Sequence, residues 1–156
     1  MNNYNKKYFI FLISFFLSVF VLACTNKKSH QQPEVNIEHL KYHGKENAVT
    51  IYSEEKKYKV TLYSNSTPVK TGKIHDWTLK VSTPDGEALD KVKIYLHGGM
   101  PVHRHGFPTR PRIKKTSGKG VYLVSGVKFS MPGAWEMRFN IKERNKRDRA
   151  VFKINI

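Results

Sequence analysis

The chain has 156 residues, a formal net charge of +16 and one cysteine, Cys24. A single cysteine excludes an internal disulfide, a thiolate metal cluster and a cysteine nucleophile elsewhere in the chain. The excess of cations favours anionic surroundings such as phospholipid head groups, anionic cell-wall polymers or lipopolysaccharide. Nucleic acid is not an expected partner, because no recognition motif is present and the N-terminus directs the chain out of the cytoplasm.

Residues 1–23 read as an export signal. Lys6 and Lys7 precede an apolar run from Tyr8 to Ala23, interrupted only by Ser14 and Ser18. That run is short for a membrane span, which needs about 20 apolar residues, and its basic, apolar and small-residue zones fall in secretory order. Val21-Leu22-Ala23-Cys24 resembles the bacterial lipobox, so Cys24 is the expected site of lipidation and the first mature residue. The expected location is the cell envelope, lipid-anchored to a bacterial membrane and facing the periplasm or exterior.

Residues 24–57 are polar and read as a lipidated cysteine followed by a flexible tether, with one short strand near Val49 to Tyr52. From Tyr58 onward the pattern changes to period-two alternation, which marks strands with one buried face. Strands are expected at Tyr58–Tyr63, Trp77–Ser82 and Val92–His97, more weakly around Ile113, and then at Val121–Phe129, Trp135–Lys142 and Phe152–Ile156. Gly126 is expected to form a bulge. Turn signals separate the runs: Pro84-Asp85-Gly86, Ser117-Gly118-Lys119-Gly120, Pro132-Gly133 and Asn145-Lys146. No convincing helical period follows Cys24. About seven short strands over residues 58–156 predict an all-β domain, an immunoglobulin-like antiparallel β-sandwich.

Strand parity then places chemistry. If the Ile113 run is a crossing strand, His75, His97, Met100, His103, His105 and Met131 gather at one end of the sandwich. The loop after the Val92 strand reads Gly98-Gly99-Met100-Pro101-Val102-His103-Arg104-His105-Gly106. Residues two apart in an extended chain share a side, so His103 and His105 can converge on one ion. Pro101 and Pro108 stiffen the loop. Imidazole with thioether suits copper, and Cu(I) in particular, better than calcium or magnesium. Zinc more often recruits thiolate or carboxylate, and the loop holds neither. Arg104 lies between the histidines, and its cation favours the lower-charged ion. His75 and His97 read as neighbours of this set.

The stretches Gly99-Met100-Pro101-Val102-His103-Arg104-His105-Gly106, Gly120-Val121-Tyr122, Gly126-Val127-Lys128-Phe129 and Met131-Pro132-Gly133-Ala134-Trp135-Glu136-Met137 resemble the YtkA-like domain family over roughly residues 70–156. That family groups small exported β-sandwich domains related in pattern to FixH-type proteins. The resemblance implies an immunoglobulin-like fold, extracytoplasmic placement and copper association through Met100, His103, His105 and Met131. The expected function is a membrane-anchored lipoprotein that binds or delivers copper, its partners a membrane and a copper donor or acceptor protein. The alternative is a non-metal adhesion or assembly module that binds an envelope protein or anionic partner. An enzyme is not expected, because no second carboxylate, nucleophile or phosphate loop accompanies Asp76 or Glu136.

Overall fold

The structure, a computed structural model, describes residues 34–36 and 48–156. They fall within one compact unit spanning Gln32–Ile156. The signal segment and Cys24 lie outside the described residues.

The described residues form ten strands and no helix: β1 (Glu34–Asn36), β2 (Val49–Tyr52), β3 (Lys59–Ser64), β4 (Ile74–Ser82), β5 (Lys93–Met100), β6 (His105–Gly106), β7 (Arg112–Lys115), β8 (Val121–Lys128), β9 (Ala134–Glu143) and β10 (Lys146–Asn155). They make two five-stranded sheets, ordered β1-β10-β9-β5-β6 and β2-β3-β4-β8-β7. All pairs are antiparallel except β1, which runs parallel to β10. The result is a β-sandwich. The seven strands expected after residue 58 correspond to β3, β4, β5, β7, β8, β9 and β10, the short strand expected near Val49 to Tyr52 is β2, and β1 and β6 are added to them.

The alternation read from the sequence is the alternation of burial. In β9, Trp135, Met137, Phe139 and Ile141 are buried, and their neighbours are more exposed. Leu79, Val81, Val124, Ala150 and Phe152 complete the same core from the other strands, with Ile94 packed against it half-buried. The bulge expected at Gly126 is present. Ladder partners shift from His75↔Val127 to Trp77↔Val124, so Ser125 and Gly126 oppose Asp76 alone. Gly126 takes φ +84°, a conformation that glycine adopts without a Cβ penalty.

The sandwich begins before the expected boundary at Tyr58. Strand β2 pairs with β3 through Val49↔Leu62 and Ile51↔Val60, and Ile51 joins the core. The β2–β3 turn is fastened by a residue far along the chain. Asp148 of β10 accepts backbone N–H bonds from Glu55 and Lys57 at 3.1–3.2 Å. Burial pushes the Asp148 carboxyl up, but the Ser53 hydroxyl and the amides of Arg149, Glu55 and Lys57 outweigh it. The carboxyl therefore sits below the ordinary aspartate range. The stretch expected to be a tether thus contributes two strands to the sheets.

Candidate metal site

One end of the sandwich collects the soft donors, and strand direction decides it. Strand β7 is a real crossing strand, paired with β8 through Ile113↔Val124. Strand β5 therefore finishes at the end where β4 starts, β8 stops and β9 begins, as Gly99↔Glu136 and Ile74↔Lys128 show.

Two glycines let the chain fold back on itself here. After Met100 a turn closes with His103 N–H donating to the Met100 carbonyl at 3.1 Å. Arg104 occupies φ +55°, and the chain returns as β6. A methyl on Gly99 would lie 2.4 Å from the His105 carbonyl oxygen, so only glycine admits this approach of backbone to backbone. A methyl on Gly98 would lie 2.0 Å from the Phe107 ring, which covers that glycine.

The fold-back makes Met100 and His105 direct cross-strand partners, and such partners share a face. Met100 is 4% exposed and His105 is half-buried. The His103 ring stacks 5.9 Å from that of His105, a spacing that one ion with metal–nitrogen bonds of about 2 Å can bridge. On its other side His105 meets Trp135 edge-on at 5.5 Å. Trp135 stacks flat on Phe107 at 5.7 Å, and its indole N–H donates to the Met131 carbonyl at 3.1 Å. Met131 is held in turn by the segment behind it. Gly133 exchanges both backbone hydrogen bonds with Ile156, at 2.8 and 3.1 Å. The Met100 methyl lies so close to Gly133 that a Cβ there would stand 2.9 Å from it. A continuous series of contacts therefore joins Met100, His105, His103, Trp135 and the Met131 segment.

His105 carries the most informative atom. Its Nδ1 lies 3.3 Å from the Gly106 carbonyl oxygen. A carbonyl only accepts, so in the neutral ring that contact suits the tautomer with its proton on Nδ1. In that tautomer Nε2 keeps its lone pair, and the atom is buried with no hydrogen-bond partner. His103 and Met131 are exposed, Met131 by 38%.

His75 is at this end but outside the group. It is buried beside Phe129, whose ring stands between it and Trp135, and its Nε2 meets the backbone of Lys70. His97 lies on the outer face of β5, opposite Arg138. Among the described residues no group of three or more His, Cys, Asp or Glu converges, so any ion held here depends on thioether as well as imidazole. Trp135 was legible only as a core residue. The signal for its second role is its place directly after Met131-Pro132-Gly133-Ala134.

The family model described as YtkA-like matches residues 52–140, more than half the chain. The chain belongs to the YtkA-like family. In this family member the match starts at the last residue of β2, earlier than the resemblance read from the sequence, in keeping with a domain that begins before Tyr58. No curated protein matches the chain. Among solved structures it is similar to the ZirS C-terminal domain, with 13% identity, 88% of this chain and 92% of that chain covered, and a TM-score of 0.40.

Proposed function

We propose that this YtkA-like protein is an envelope lipoprotein, anchored through Cys24, that binds one copper ion at its His–Met end and passes it to or takes it from another protein. His103 and His105 supply imidazole, and Met100 and Met131 supply thioether. The observation that carries the reading is the buried, unpartnered Nε2 of His105 beside a buried methionine. An unsatisfied buried nitrogen costs about 1–3 kcal/mol, which an ion bound there would offset. Two imidazoles and two thioethers, without carboxylate or thiolate, favour Cu(I). Exposed His103 and Met131, with buried Met100 and half-buried His105, suit an ion held from below and open to exchange from above.

The test is a competition titration of the full chain, in non-ionic detergent, against a chromophoric Cu(I) chelator. The parent should withdraw one equivalent and gain thermal stability by linkage. His103→Ala with His105→Ala should abolish both effects, and His75→Ala should change neither. Equal competition by the parent and the double variant would overturn the assignment.

A further inference from the structure

The two long sides of the sandwich are closed differently. On one side Asp148 ties the β2–β3 turn to β10, and Ile51 of edge strand β2 is only 7% exposed. On the other side β7 is the edge of its sheet, and β5 becomes an edge below β6, which pairs only with Gly99 and Met100. The inward side chains stay half-buried there: Ile94 and Leu96 on β5, and Ile113 on β7. Their depth in the sheet does not explain this, because the cross-strand partners of Ile94 and Leu96 on β9, Ile141 and Phe139, are no more than 1% exposed.

The backbone is unmatched on the same side. The Gly98 carbonyl turns away from β9 and accepts from the Phe107 N–H at 3.2 Å. Residues two apart in a strand aim their N–H and C=O the same way, so Leu96 and Ile94 present theirs to that side too. Among the described residues, 93–97 pair with β9 alone. Such an edge is a template for a further strand.

Two adjoining grooves of about 420 and 290 Å³ run along this side and share Ile94, Tyr95 and Ile113. Lys93, Arg112 and Lys114 also line them, and none of the three forms an ion pair among the described residues. The one carboxylate in the lining, Asp90, is engaged by Lys115 at 3.0 Å and by the Gly120 N–H at 2.6 Å. The grooves therefore combine an apolar strip, a free strand edge and uncompensated positive charge.

We infer that this side binds an extended acidic segment of a partner protein, added as a strand beside β5 below β6. Hydrogen bonds to the Ile94 and Leu96 backbone supply the pairing, and alternate apolar side chains of the segment cover Ile94, Leu96 and Ile113. Its carboxylates meet Lys93 on one wall and Arg112 and Lys114 on the other. A second copy of this chain using the same side would set cations against cations. A polyanion without apolar side chains would leave the strip and the strand edge unmet.

The test titrates the full chain, in non-ionic detergent, into a fluorescein-labelled peptide that alternates valine with glutamate, and reads anisotropy. Saturable binding is expected. The amides of Ile94 and Leu96 should exchange rapidly in the free chain and become protected when the peptide binds, as NMR hydrogen exchange reads residue by residue. Lys93→Glu with Lys114→Glu should weaken binding by about ten-fold, since exposed charges at a rim steer more than they hold. That variant should instead prefer the counterpart peptide with lysine in place of glutamate. Absence of binding, or binding without protection at Ile94 and Leu96, would overturn the inference. Equal affinity for polyglutamate would overturn it as well, as would protection of these amides in the chain without peptide, whether by its own residues or by self-association.

Discussion

The Gly98–Phe107 contact is where one methyl group tests how the His–Met loop is held. Replacing Gly98 by alanine puts a Cβ at 2.0, 2.1 and 2.8 Å from three atoms of the Phe107 ring. The ring cannot move deeper, because its far side is committed to Trp135 at 5.7 Å and Phe129 at 5.8 Å. It must swing outward. Gly98 lies within a strand and has no positive φ, so the cost is steric and not conformational. Overpacking of this kind costs about 1–3 kcal/mol. Urea unfolding of the full chain in non-ionic detergent should therefore shift by about 1 M for a domain of this size, taking m near 1–3 kcal/mol/M. In a Phe107→Ala background the obstacle is absent, and Gly98→Ala should cost under about 0.5 kcal/mol, a coupling that a double-mutant cycle reads directly. Equal costs in the two backgrounds would refute the reasoning, as would a loss below about 0.5 kcal/mol in the parent.

Phe139 is fully buried between the sheets, so Phe139→Ala should destabilise by about 3–5 kcal/mol in denaturant unfolding. Asp148→Asn should cost about 1–3 kcal/mol at neutral pH, because the charged acceptor of the β2–β3 turn is lost. The folded Asp148 carboxyl is depressed, so its contribution is complete above the ordinary aspartate pKa of about 3.9 and is lost as pH falls through the folded value. The difference between parent and Asp148→Asn should therefore shrink in unfolding curves taken at progressively lower pH. Cys24→Ser should keep its signal segment and carry no acyl chains, which mass measurement will show.

The strand map was legible because burial alternates with a period of two wherever one sheet face meets the core, and Trp135-Met137-Phe139-Ile141 states that period without interruption. The bulge was legible because Gly126 interrupts such a run. Even the end of the sandwich that carries Met100, His103, His105 and Met131 followed from strand parity, since each crossing reverses direction and the Ile113 segment proved to be a crossing strand.

Other features depended on partners distant in the chain. Residues 24–57 read as a polar tether holding one short strand at Val49 to Tyr52, and nothing local placed that strand or the turn after it in the sandwich. They belong to the sandwich because Val60 covers Ile51 from a neighbouring strand and Asp148 fastens Glu55 from 93 residues away. Nothing local in Gly98 says that Phe107 lies on it, or that Trp135 closes the His–Met group from the side. The lone pair on His105 Nε2 became informative only when burial removed water from it. Ile94, Leu96 and Ile113 alternate in one dimension like any core residue, and only strand order leaves them at an open side. The sequence by itself determined which residues face inward, because alternation is a property of a single strand. Only tertiary structure decided which of them meet, because register between strands is set by packing across the whole sheet.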